Sequence, residues 1–177
     1  MKLVRDRNVL SNFDKKIIKD VVLKDKFPYY WNCSQVNDDT LPYLSHTLVE
    51  RQNKKGIEMN RLTDYSSHTM FFINIVKKFC SKNKIPIKKI FRSCINLTWS
   101  LPEKEGVWHT DHNFKHRQFL MHLTETDAGT LLKKGKKIIE IPPVKYEGIC
   151  FEGLVKHKVK YCSAKYRRRV MFVTTFI

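Results

Sequence analysis

The stretch Arg169-Val170-Met171-Phe172-Val173-Thr174-Thr175-Phe176 alternates with a period of two. Val170, Phe172, Thr174 and Phe176 fall on one face, and Arg169, Met171, Val173 and Thr175 on the other. A run of this kind reads as a strand inside a layered β fold. Upstream, Phe91–Trp99, Val107–Asp111, Gln118–Thr124, Gly129–Leu132, Lys136–Ile141, Gly148–Phe151 and His157–Tyr161 are further β-forming segments. Turn residues divide them, among them Leu101–Gly106 and the hairpin turn Lys133-Lys134-Gly135-Lys136. Seven or eight short strands after a helical lead-in predict a mainly β chain with N-terminal helices, closed as an antiparallel barrel or jelly roll.

The lead-in, residues 1–89, reads as helical support. Ser11 or Asn12 caps a helix whose apolar stripe is Phe13, Ile17, Ile18, Val21 and Val22. Phe27-Pro28-Tyr29-Tyr30-Trp31 interrupts it as an extended aromatic stretch. A second helix is expected from Ser66 to Ser81, where Met70, Phe71, Ile73, Val76 and Cys80 recur three to four residues apart.

Length and composition limit the chemistry. The 177 residues make one domain, and 42% hydrophobic with 12% aromatic residues exclude global disorder. Five cysteines with no Cys-x-x-Cys pair argue against a zinc knuckle or a thioredoxin motif and suit a reducing cytoplasm. No apolar run is long enough to span a membrane, so the expected protein is soluble. Thirty-four Lys and Arg against 17 Asp and Glu give a formal charge of +17, which favours anionic ligands or partners.

The strongest chemical signal is His109-Thr110-Asp111. In an extended chain, side chains two apart project from one face, so an imidazole and a carboxylate can reach one ion. His157, at the start of a later strand, is the third candidate. Two histidines and one carboxylate form a facial triad that leaves coordination positions open, the donor set of non-heme Fe(II) centres. Arg169 then stands on a mostly apolar face, where a guanidinium needs an anion. Arg167, two residues earlier, competes with it for that role. His112, His116 and His122 read as structural or surface residues, and His46 and His68 as satisfied or solvent-facing ones.

Taken in order, His109-x-Asp111, Gly129-Thr130, Gly148-x-x-Phe151-x-Gly153-x-x-x-His157 and Arg169-Val170 resemble the Fe(II)- and 2-oxoglutarate-dependent oxygenases. The likeness is to the small prolyl-4-hydroxylase-like type found in bacteriophages, and Phe27–Tyr30 and Arg92-x-x-x-Asn96-Leu97 extend it over residues 20–177. The resemblance implies a double-stranded β-helix core over residues 90–177, with iron held by His109, Asp111 and His157. It further implies 2-oxoglutarate as co-substrate with its far carboxylate on Arg169, consumption of O2, and release of succinate and CO2 as a substrate is hydroxylated. A protein side chain such as proline is the favoured substrate. Many relatives carry a tyrosine shortly before His-x-Asp. Residues 101–107 lack one, which leaves Asn96, Thr98 or Trp99 to help hold 2-oxoglutarate from a neighbouring strand.

Two other classes compete. The basic charge would suit a non-enzymatic, cupin-like nucleic-acid-binding protein. His109-Thr110-Asp111-His112 would suit a metal-dependent hydrolase, although Val107 occupies the position where such a site needs another histidine.

Overall fold

A computed structural model describes residues 3–34, 41–61 and 66–177. The strands are β1 (Val4–Asp6), β2 (Tyr30–Asn32), β3 (Tyr43–Val49), β4 (Ile57–Glu58), β5 (Lys89–Thr98), β6 (Arg117–His122), β7 (Thr130–Lys134), β8 (Lys137–Ile141), β9 (Gly148–Glu152), β10 (His157–Val159) and β11 (Arg169–Phe176). The large sheet runs β1-β9-β6-β11-β5-β3-β2, with β4 also on β5, and faces a small sheet of order β10-β7-β8. All these pairings are antiparallel. The architecture is the jelly roll expected from the strand pattern.

The alternation of β11 sorts its side chains as the sequence requires. Val170, Phe172 and Phe176 join an outer core with helix α2 (Thr69–Lys82), whose Phe72, Ile73, Val76 and Phe79 are fully buried. Met171 and Val173 point the other way, into an inner core with Leu120, Leu132, Ile149 and Phe151. α2 therefore covers the outside of the large sheet, while the space between the two sheets remains for the site. The hairpin joining β7 to β8 turns at Gly135, whose φ of +59° suits a glycine.

Three expectations change. The first 89 residues are not only helical support: β3 pairs with β5 along Leu44↔Leu97 to Thr47↔Cys94 and carries the large sheet two strands further. Its stability comes from β5, a partner far away in sequence, which satisfies its backbone groups. In helix α1 (Asn12–Ile17) and the π-helical turn that continues it (Ile18–Val22), Phe13 faces solvent, and the buried stripe is Asp14, Ile18 and Val22. A capping box between Ser11 and Asp14, together with an ion pair from Lys78 of α2 to Asp14 at 2.9 Å, sets that rotation.

The third change concerns residues 107–111, which are extended but form no strand. The chain from Glu105 to His109 instead meets residues 157–160 through the isolated bridges Glu105↔Lys160 and His109↔His157. The two bridges are offset by four positions on one side and three on the other. That one-residue slip prevents a continuous ladder.

Candidate metal centre

The bridge that replaces the expected strand is what brings the two histidines together. His109 and His157 exchange both backbone hydrogen bonds, N to O at 3.0 and 2.9 Å, so their rings lie 4.5 Å apart between centroids. Each ring donates its Nδ1–H to the carbonyl two residues earlier, His109 to Val107 at 2.9 Å and His157 to Val155 at 3.1 Å. These bonds fix the tautomer and leave Nε2 as the lone pair each imidazole offers. Burial pushes His157 down to about 4, against the pull of Asp111, so this ring is neutral near pH 7 and available as a ligand.

Asp111 completes the group. Its Oδ1 lies 3.9 Å from His109 Nε2, and one ligand atom from each of the three residues falls within 4.8 Å of the others. Gln118 Nε2 donates to Asp111 Oδ2 at 2.7 Å, while Arg92 Nη1 and Arg51 Nη2 approach Oδ1 at 3.4 and 3.7 Å. Arg51 also donates to the Asp111 carbonyl. Burial opposes ionisation here, but the positive charges of the guanidinium groups, Arg92 first and then Arg51, outweigh it and hold the carboxyl well below its ordinary range. Among the described residues this is the one such cluster of metal-ligating side chains.

The group lines a cavity of about 90 Å³ that also reaches Asn96, Thr98, Thr130, Met171 and Arg169. Arg169 lies opposite Thr98 in the β11–β5 register. Its Nη2 is 3.4 Å from Thr130 Oγ1, its Nε has no partner, and no described carboxylate pairs with it. Burial pushes its guanidinium down to about 10. Thr98 Oγ1 is likewise buried without a partner. A dry guanidinium beside the unpaired Thr98 hydroxyl is a receptor for an oxyanion, which would accept hydrogen bonds from both. The donor set at one end and the orphaned polar atoms at the other fit a metal ion and a small dicarboxylate.

The other sequence candidates are placed as follows. Asn96 faces the cavity and accepts from Ser45 Oγ at 2.8 Å. Arg167 is exposed, in the loop before β11, outside the cavity lining. His112 and His116 are buried and bonded to Thr175 and the Phe114 carbonyl. His46 bonds to the Pro28 carbonyl and Ser66. His122 is buried, so a surface role is ruled out for it.

Sequence reasoning assigned no role to Tyr43, Arg51, Arg92, Gln118 or Thr130. Strand alternation could have flagged Arg92 and Gln118, which share their faces with Asn96 and Leu120. Tyr43 and Arg51 come from β3 and the residues after it, and carry no local signal.

Solved structures align over nearly the whole chain. An oxidoreductase of the 2OG-Fe(II) oxygenase family from Burkholderia pseudomallei superposes with a TM-score of 0.71 at 14% identity, over 98% of this chain and 84% of that one. A prolyl-4-hydroxylase from Pseudomonas putida gives 0.63 at 10% identity, over 98% and 91%. A Trichoplax adhaerens prolyl hydroxylase, solved with a hypoxia-inducible-factor peptide fragment, gives 0.63 at 12% identity, over 99% and 83%. The fold is that of the 2-oxoglutarate- and Fe(II)-dependent oxygenases. No protein-family model and no curated protein matches the sequence. Within this oxygenase fold the nucleic-acid-binding and hydrolase alternatives gain no support. No helix among the described residues is long and apolar enough to cross a membrane.

Proposed function

We propose that the protein is an Fe(II)- and 2-oxoglutarate-dependent dioxygenase that hydroxylates a substrate, a protein side chain such as proline being favoured. The observation that carries this reading is one small cavity joining a His-Asp-His group to a buried arginine that pairs with no described carboxylate. The likeness to prolyl hydroxylases supports the substrate class. The five free cysteines suit action in the cytoplasm.

In this reading His109, Asp111 and His157 hold Fe(II). Their geometry is set beforehand by the carbonyls of Val107 and Val155 and by Gln118. Arg169 holds the far carboxylate of 2-oxoglutarate in its guanidinium fork, with the hydroxyls of Thr130 and Thr98 beside it. Asn96, facing the cavity between them, is placed to contact the middle of the co-substrate. Arg167, exposed on its loop, takes no part. Bound iron and 2-oxoglutarate supply the oxidising chemistry, in which O2 is reduced, 2-oxoglutarate becomes succinate and CO2, and a substrate C–H becomes C–OH. Leu120, Met171 and Val173 keep the chamber apolar between its two polar ends.

The test is succinate release from 2-oxoglutarate by the Fe(II)-loaded protein, run in parallel with binding of Mn(II) and 2-oxoglutarate. Release above a protein-free control that disappears in His157→Ala is expected. No release, together with no joint binding, rejects the assignment.

A further inference from the structure

Around Asp111 the cations outnumber the anions. Two guanidinium groups, from Arg92 and Arg51, lie within 4 Å of the one oxygen Asp111 Oδ1, and a third, from Arg169, stands deeper in the cavity. Lys158, also at the wall, is matched by Glu105 at 2.5 Å and drops out of the balance. Three arginines therefore face one carboxylate, an excess of two positive charges among the described residues.

Filling the site as proposed does not remove this excess. Fe(II) brings two positive charges and 2-oxoglutarate two negative ones, however the individual pairs are drawn. Once Arg169 has the far carboxylate and the metal has Asp111, no other described carboxylate is left to match Arg92 and Arg51. Arg92 cannot rely on water for it. Its side chain is only 14% exposed, and it shares the cavity wall with Tyr43. Arg51, 47% exposed, extends the same positive field to the surface. Asp111 also lines an outer groove with Gln52, Asn53 and Lys54, which adds a cation there and no anion. A partly desolvated pair of guanidinium groups at the entrance selects for an anion and against a neutral analogue.

We propose that Arg92 and Arg51 form a carboxylate-recognition site for the prime substrate, so that the molecule oxidised carries a carboxylate close to the carbon that is hydroxylated. The inference rests on the oxygenase reading above. A carboxylate is favoured over a phosphate because the anion that both guanidinium groups already meet in the structure, on Asp111, is a carboxylate. The carboxylate can belong to a free amino acid or to an acidic residue of a peptide.

The probes are N-acetyl-L-proline and N-acetyl-L-proline amide, a blocked Pro-Glu dipeptide and its Pro-Gln counterpart, and O-phospho-L-serine. Each is titrated into protein saturated with Mn(II) and 2-oxoglutarate. Either acid is expected to bind about tenfold or more tightly than its amide partner, and the tighter pair identifies the free or the peptide source. In Arg51→Gln and Arg92→Gln that acid-to-amide ratio is expected to fall towards one. Arg51, on the surface, supplies the variant that folds if Arg92→Gln does not.

Equal binding of acid and amide overturns the proposal. So does an unchanged ratio in both variants, or binding of phosphoserine alone. Failure of the wild-type protein to bind Mn(II) with 2-oxoglutarate instead removes the oxygenase reading and this inference with it. Intact loading without carboxylate preference removes only the inference.

Discussion

The two ends of one cavity use the same side chain in opposite states. At the inner end Arg169 has, among the described residues, a distant threonine hydroxyl, an unpaired Nε and no carboxylate. At the outer end Arg92 is engaged with Asp111, which it shares with Arg51. A buried charge without a counter-charge weakens the empty protein and is compensated only when ligand arrives, whereas a paired one is part of the scaffold. The contrast separates charges that Asp111 already meets from one that is met by no described carboxylate.

Removing a member of the outer group should have the largest consequence. His109→Ala or His157→Ala is expected to lower Mn(II) affinity by about 100-fold or more and to abolish joint binding with 2-oxoglutarate, read by titration calorimetry. Unchanged stoichiometry in both variants would break the comparison at its metal end.

Next in size, Arg169→Ala should weaken 2-oxoglutarate by roughly 50-fold, the worth of charge-assisted hydrogen bonds, while Mn(II) alone binds within about threefold of wild type. If metal and co-substrate fall together, the inner end is not a separate receptor.

The sharpest comparison uses one substitution at both ends, in protein free of metal and 2-oxoglutarate. Arg92→Met leaves a buried Asp111 short of a partner and should cost about 2 kcal/mol. Arg169→Met removes an uncompensated charge and should stabilise by about 1 kcal/mol. Urea midpoints at constant m-value measure both. The same sign for the two would contradict the contrast drawn above.

Smallest of all, Arg167→Ala should change 2-oxoglutarate affinity by less than about twofold, as expected for an exposed side chain. A larger loss would mean that Arg167, and not Arg169, holds the co-substrate.

Much of this arrangement could be read along the chain because it is periodic. The two-residue alternation of β11 set Arg169 with Met171 and Val173 on one face and Val170 with Phe172 on the other, as the two cores show. Extended spacing likewise lets His109 and Asp111 project together. Where the reading slipped, a contact distant in sequence decided the local structure. Phe13 turned outward because Asp14 is tied to Lys78, and β3 became a strand because β5 offered it a free edge.

By itself, then, the sequence determined the alternating faces, the short-strand architecture and the residue types able to hold a metal and an anion, because each follows from local backbone geometry. Only the tertiary structure decided which of these meet. Antiparallel bridging set His109 against His157, and β3 and the residues after it brought Tyr43 and Arg51 to the cavity and its mouth. The balance of charge around Asp111 is likewise a sum over side chains from separate parts of the chain, and it exists only once they are folded together.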